Sequence, residues 1–407
     1  IRNGLVALSV GAAAPHFLIR SAHATSRAAE ALKAQGAKSL IVVEMAGGND
    51  GINTLIPYAD ESYYQVRPQL AIQRQDALSI SDSIALHPSM GALKELYDIG
   101  RLAVVQGVGY PNFDFSHFRA MEIYRSADTG PYTGIGWLGR YLDSIVSQVS
   151  GQPFMALVAG QPGISPTMRG EVFQTPAVTN PQAYQLTTDP RYDGDRANRL
   201  NAFNALNQTG EDNRAMLPIL EETANTAYAS SRELQELVSA YASSVEYPAT
   251  GLGNSLKLMA QVVTADVGLQ VGYVTIGGFD THADQTEAQA ALLQQVSGGV
   301  RAFLDDIEAH GMTDRVIVLA WSEFGRRVEE NGSRGTDHGS AQPMFIAGSP
   351  IKGGLYGGYP SLTDLDNKNL KMTTDFRSVY ATILESWLGA DPAQILKGSF
   401  PSLGFVA

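Results

Sequence analysis

The residues in this sequence most able to do chemistry are carboxylates and histidines gathered in glycine-bearing loops. Three such loops follow short apolar runs: Gly47-Gly48-Asn49-Asp50-Gly51, Gly277-Gly278-Phe279-Asp280-Thr281-His282 and Trp321-Ser322-Glu323-Phe324-Gly325-Arg326. A fourth cluster, Gly335-Thr336-Asp337-His338-Gly339, stands ahead of another apolar run. Carboxylate and imidazole groups together suit divalent metals, and the flanking glycines let the backbone turn sharply and approach a ligand closely. Without cations, carboxylates crowded in one place repel one another and rise in proton affinity. Asp50, Asp280, His282, Glu323, Asp337 and His338 are therefore the expected ligands of one or two divalent ions, with zinc, manganese, calcium and magnesium all open. Each also has a plainer reading taken alone: Asp280 as the cap of a following helix, Asp50 as a turn residue, Glu323 as the partner of Arg326 or Arg327.

The remaining histidines divide by position. His87 precedes Pro88 and reads as a residue that opens a helix, and His310 precedes Gly311 at a helix end, where an imidazole meets the helix dipole. His117 follows Ser116 at a helix start, so the pair either caps that helix or enters the site. A hydroxyl at a helix N-terminus faces unpaired N–H groups that also stabilise an incoming anion, which gives Ser116 the chemistry of a nucleophile. A plain N-cap is the competing role, and Thr54 and Ser322 are rival hydroxyls beside the acidic clusters. Arg326 and Arg327 could clamp an oxyanion bidentately or form a structural salt bridge.

Positioning these groups requires a scaffold of strands and helices. Apolar runs predict strands at 40–45, 102–105, 271–276, 316–320 and near 344–347, and helical spacing predicts helices at 90–99, 252–267, 285–310 and 375–388. Such alternation implies an α/β fold: a doubly wound, largely parallel sheet with helices on both faces and ligands beyond the carboxyl ends of the strands. The three strand-end loops then share one edge. From about 145 to 250 the texture changes to loops rich in Gly, Pro, Thr and Asn, followed by a helical stretch over 217–242, which reads as a helical and loop insertion or cap. Tyr184, Tyr192 and Phe203 within it are expected to fill the cap's own core.

With 407 residues, 44% of them hydrophobic, the chain can bury a large core. A formal net charge of -12 leaves no basic field for phosphate backbones, so no nucleic-acid partner is expected, and an anionic substrate would need a local cation. The chain has no cysteine, which excludes disulfides, thiolate metal sites and cysteine nucleophiles. The apolar, small-residue run over 4–14 and the small-x-small sequence Ala22-His23-Ala24 read as the remnant of an export signal over 1–24, with a basic, twin-arginine region expected upstream. A buried N-terminal helix is the alternative. Residues 25–407 are expected to form one domain, periplasmic or extracellular, with no transmembrane anchor.

Across about 40–388 the sequence resembles the exported domain-of-unknown-function 1501 family. The resemblance runs through Ala46-Gly47-Gly48-Asn49-Asp50-Gly51, Leu86-His87-Pro88, Ser116-His117-Phe118-Arg119-Ala120-Met121, Phe279-Asp280-Thr281-His282, Ser322-Glu323-Phe324-Gly325-Arg326, Gly335-Thr336-Asp337-His338-Gly339 and Thr374-Asp375-Phe376-Arg377. That family is similar to the alkaline phosphatase and sulfatase superfamily, which implies an alkaline-phosphatase-like core carrying one or two metals. The resemblance makes Asp50 a first-strand metal carboxylate, Ser116 the hydroxyl nucleophile, and Asp280, His282 and His338 further ligands. Glu323 stands where the superfamily usually has an Asp-His pair, with Phe324 in the place of the imidazole unless Asp337-His338 substitutes for it.

Two functions follow as expectations. The first is metal-dependent hydrolysis of a small anionic ester, or of a sulfated or phosphorylated glycan. The second is a non-catalytic exported protein that binds metal or carbohydrate and assembles with an envelope partner. A dinucleotide-dependent oxidoreductase is disfavoured, because the Gly-Gly-Asn-Asp loop lacks the GxGxxG spacing.

Overall fold

The computed structural model describes residues 36–146, 154–181, 198, 234–243 and 245–407. The segment read as an export signal and the aromatic residues Tyr184, Tyr192 and Phe203 lie outside the described residues. Among the described residues, no helix is long and apolar enough to cross a membrane.

Among the described residues a central sheet of nine strands organises the fold: β1 (Ser39–Ala46), β2 (Leu102–Gly109), β3 (Ala156–Ala159), β4 (Ala177–Val178), β5 (Val271–Gly277), β6 (Val316–Trp321), β7 (Gln342–Ala347), β8 (Gly354–Tyr356) and β9 (Thr374–Asp375). Their order is β8-β2-β7-β6-β1-β5-β3-β4, with β9 also pairing β2. β7 is antiparallel to both its neighbours, and every other pairing is parallel. The sheet is therefore the largely parallel one expected.

Its central strands are buried and mostly apolar because both faces are covered, with Glu44 of β1 and Gln106 of β2 as buried polar exceptions. Successive side chains of β1 point to opposite sides: Leu40 and Val42 join one core, Ile41, Val43 and Met45 the other. The first core is closed by α4 (His117–Ser126), α5 (Trp137–Ile145), α8 (Phe376–Thr382) and α9 (Pro392–Leu396). The second is closed by α3 (Gly91–Asp98), α6 (Gly251–Thr264) and the long α7 (Gln285–Ala309). The short helix α1 (Gly51–Thr54) leads from β1 into a small antiparallel sheet of Leu55–Ile56, Ala85–Leu86 and Leu78–Ser79, and a second, α2 (Glu61–Val66), follows the first of those strands.

The stretch from 145 is not wholly an insertion. β3 and β4 belong to the central sheet, with β3 extending it beside β5 in the register Ala156 to Val271 through Ala159 to Val274. Four small or apolar residues ahead of Gly160 carry little local strand signal; pairing along the β5 edge supplies the rest. Residues 182–233 lie outside the described residues except for 198, and the chain re-enters them in a helical stretch at 234–240. There Tyr241, Ser243 and Tyr247 all donate hydroxyls to the Asp306 carboxylate of α7, the last two at 3.1 and 2.8 Å. Asp306 is buried, so these bonds anchor the returning chain against the core.

His87 opens a 3₁₀ turn at Pro88–Met90, its Nδ1 accepting from the Ser89 N–H at 3.0 Å. Burial lowers its pKa from the ordinary imidazole value to about 4, against a weaker opposing pull from Asp50. The unfolded chain therefore takes up a proton near pH 6.5 that the folded chain refuses until about pH 4, so stability falls as pH drops through this window. Chemical unfolding at pH 7 and pH 4 should show the parent losing about 3 kcal/mol more than His87→Asn, whose amide can still accept from Ser89.

Candidate metal centre

The parallel register sets Ala46 opposite Gly277 and Glu44 opposite Trp321, so the loops after β1, β5 and β6 leave the sheet side by side. Two glycines allow them to touch. Gly47 and Gly48 have φ of +122° and +72°; a β-carbon would lie 2.5 Å from the Asp280 nitrogen at the first and 2.1 Å from the Phe324 ring at the second.

Arg326 ties these loops together from beneath. Its guanidinium donates to the carbonyls of Gly48 (2.6 Å), Gly47, Thr336 (2.8 Å) and Phe279 (3.0 Å), and to Asp280 Oδ1 at 2.7 Å. The side chain is fully buried. Its donors face protein oxygens, so the expected oxyanion clamp is corrected to an internal staple that orients Asp280.

Above Arg326, three imidazoles and one carboxylate converge. His338 Nε2 lies 3.0 Å from His117 Nε2 and 2.9 Å from His282 Nε2. Asp280 Oδ1 lies 3.5, 2.9 and 3.2 Å from Nε2 of His117, His282 and His338. Single ligand atoms of His117, Asp280 and His338 all fall within 4.8 Å of one another.

The far side of each ring explains its orientation. His117 Nδ1 faces Glu323 Oε1 at 2.8 Å, His338 Nδ1 faces the Phe115 carbonyl at 2.9 Å, and His282 Nδ1 faces Asp337 Oδ1 at 3.4 Å. A carbonyl oxygen only accepts, so His338 carries its proton on Nδ1 and presents a lone pair at Nε2. Glu323 does the same for His117, and Asp337, which also accepts from Asn331 Nδ2 at 3.1 Å, faces His282 in the same sense. Phe115 reaches this position with φ of +63°, a conformation that L residues avoid and that turns its carbonyl toward the ring.

Electrostatics fit an electron-rich cluster. Burial pushes the Asp280 carboxyl up, but Arg326, with His282 and His338, outweighs it and holds the pKa at about 2. The hydrogen bond to Glu323 raises His117 against its burial, whereas burial, together with the charges of His117 and Arg326, lowers His338. His117, His338 and Asp280 form a donor set that can hold a divalent ion, with His282 beside the last two.

Several expected ligands are placed elsewhere. Asp50 is fully buried, pairs with Arg67 at 2.5 Å, accepts from Gln285 Nε2 at 2.5 Å and caps α1. Both of its oxygens thus face Arg67 and the protein, not the histidines. Glu323 and Asp337 face ring nitrogens turned away from the cluster; Glu323 also accepts from the Gly47 N–H at 3.0 Å and from Ser322 Oγ at 3.0 Å. Ser116 caps α4, its Oγ accepting from the Arg119 N–H at 3.3 Å, while the next residue, His117, turns into the cluster. Thr54 and Ser322 are buried and bonded to Asn49. His117 was open between cap and site in the sequence, because its partner Glu323 lies 206 residues away.

A cleft of about 530 Å³ opens beside the cluster, lined by His117, Asp280, Phe118, Met121, Arg125 and Tyr132 among others. Another cavity, of about 370 Å³, contains charges already paired, such as Arg101 with Glu308 and Arg301 with Asp305.

The placement of Asp50 is open to direct test. Asp50→Ala leaves Arg67 buried without its carboxylate and should cost about 3–5 kcal/mol in urea unfolding. Metal bound per folded chain, read by elemental mass spectrometry, should equal that of the parent; a loss of metal in folded protein would make Asp50 a ligand.

Known structures offer distant likenesses. The chain is similar to PsFucS1 sulfatase from Pseudoalteromonas sp. (12% identity, TM-score 0.38, covering 94% of this chain and 74% of that one). It is also similar to a protein in the alkaline phosphatase superfamily from Vibrio parahaemolyticus (10%, 0.35, covering 84% and 73%) and to phosphonate monoester hydrolase SpPMH from Silicibacter pomeroyi (10%, 0.36, covering 90% and 76%). Likenesses this remote assign neither reaction nor residue. No curated protein matches the sequence. Residues 37–400, which include the whole histidine cluster and its supporting loops, match the family described as "Protein of unknown function (DUF1501)", and the chain belongs to that family.

Proposed function

We propose that the chain is an exported, metal-dependent hydrolase of phosphate or sulfate esters. The observation that carries this reading is the convergence of three Nε2 atoms on Asp280 Oδ1, with an acceptor behind each Nδ1. His117, His282, His338 and Asp280 would hold the ion. Their imidazole-rich chemistry favours zinc or manganese over calcium and magnesium, which prefer oxygen-only shells. Such an ion supplies Lewis-acid stabilisation of charge developing on a phosphoryl or sulfuryl oxygen.

The chain's own groups do the rest. Arg326 fixes Asp280 and Glu323 fixes His117, so the donors are held in place before substrate arrives. The cleft opens directly onto His117 and Asp280, which admits an ester to the open side of the cluster. Ser116 is engaged as a helix cap and does not line the cleft, so we assign the attack to water rather than to a covalent serine intermediate.

Stripping the purified chain with chelator and reloading it with zinc, manganese, calcium or magnesium before assay on aryl phosphates and aryl sulfates tests this reading. Turnover should vanish with the metal and return with zinc or manganese. His282→Ala should lower kcat/KM by about 100-fold or more, while Ser116→Ala should stay within about threefold of the parent. A metal-loaded chain that turns over none of these esters would instead be a binding protein.

A further inference from the structure

His282 is the most exposed of the three rings and the most loosely supported. Its side chain is 45% exposed, against 29% for His117 and 23% for His338. The half-exposed Asp337 carboxylate behind its Nδ1 stands 3.4 Å away, the longest of the three supports. Behind both groups lies Asn331. Its Nδ2 donates to Asp337 Oδ1 at 3.1 Å and to the His282 carbonyl at 2.9 Å, while its Oδ1 accepts from the Ser333 and Gly335 N–H groups at 2.9 and 3.1 Å. Both donors and both lone pairs of the amide are thus in use. A flipped amide would set NH₂ against two N–H groups and its oxygen against two oxygens, so the turn itself decides which end faces His282. That turn is well fastened. Asn331 N–H donates to the Gly335 carbonyl at 2.9 Å, and the Ser333 and Arg334 carbonyls accept from the N–H groups of Asp284 and Gln285 at 3.0 and 2.9 Å, where α7 begins without a side-chain cap. A β-carbon on Gly335 would lie 2.3 Å from the His282 carbonyl carbon, which is how closely the two loops meet.

We infer that Asn331 is a positioning residue for the metal centre, the group through which His282 joins His117, His338 and Asp280 as a ligand. The inference rests on the metal-centre reading of the cluster and adds the residue that completes it. His117 and His338 need no such device, because a buried carboxylate, Glu323, and a backbone carbonyl, that of Phe115, stand behind them. His282 has only a carboxylate that could itself swing into solvent. One planar NH₂ group ties that carboxylate and the His282 backbone together, so the ring is held at its root and at its far nitrogen from the same point. Asn331 is not among the residues that line the cleft, so its influence passes through His282 and Asp337. Single ligand atoms of His117, Asp280 and His338 lie within 4.8 Å of one another without His282, so losing Asn331 would weaken the centre rather than abolish it.

Asn331→Asp is isosteric and keeps both acceptor bonds of the turn, but sets an oxygen against Asp337 and the His282 carbonyl. Asn331→Ala removes the amide without adding charge. Zinc affinity of the folded chain, from competition with a chromophoric chelator, and X-ray absorption at the zinc edge are measured for both, alone and combined with His282→Ala. Arg334→Gly, which suits the local φ of +55° and leaves the Asn331 side-chain bonds intact, is the control and should match the parent. Each Asn331 variant should bind zinc about tenfold or more weakly and lose about one imidazole from its shell. With His282 already replaced, each should change zinc affinity by no more than about twofold, because the ring it acts through is gone. Added negative charge alone would tighten zinc in Asn331→Asp, so weaker binding there reports lost geometry. Zinc held as tightly as in the parent by either variant, an equal loss with and without His282, or the same loss in Arg334→Gly would overturn the inference and leave the metal centre standing. A parent chain that binds no zinc would instead fail the metal-centre reading itself.

Discussion

His338 Nε2 and Asp280 Oδ1 lie 2.9–3.5 Å from each other and from Nε2 of both His117 and His282, an arrangement of lone pairs that favours positive charge among them. Protons can serve such atoms only in pairs, since one N–H points to one acceptor at a time. Loading the rings with further protons would also place imidazolium charges beside the buried Arg326 guanidinium. The divalent ion we propose would serve these donors together. The rest of the site follows from that constraint: acceptors behind every Nδ1, Arg326 beneath Asp280, and glycines where loops must touch.

The sheet explains how distant residues reach one place. β1, β5 and β6 are neighbours in parallel register, so loops after 46, 277 and 321 share an edge although more than 200 residues separate the first from the others. The loop that leaves β2 after Gly109 runs into the start of α4 and brings in His117. His338 arrives on the loop ahead of β7, the antiparallel strand, which approaches the edge from the opposite direction. An antiparallel strand begins where its parallel neighbours end, and the loop before it therefore lies with the loops after them.

What could be read from the sequence was whatever has a local signature. Runs such as Leu40-Ile41-Val42-Val43 announce buried parallel strands, and the Asp280 and His282 loop announces donors at a strand end. Roles decided by partners far along the chain had no such signature. Glu323 and Asp337 have the chemistry of ligands, and only the facing His117 and His282 turn them into supports. Arg326 acts through backbone carbonyls, which any residue supplies, so nothing in its spacing separates a staple from an oxyanion clamp. Asp50 looks like a ligand until Arg67 and Gln285 are placed against it. β3 is too short to declare itself and is a strand because β5 offers an edge.

X-ray absorption at the metal edge of the zinc-loaded chain, run beside a still-folded variant carrying both His282→Ala and His338→Ala, interrogates the cluster itself. Near-stoichiometric zinc with a first shell dominated by imidazole nitrogen at about 2.0 Å, lost in the variant, is the expected result. A chain that takes up no metal, or that keeps the same metal and the same nitrogen shell without those two histidines, would contradict a metal centre at this edge of the sheet.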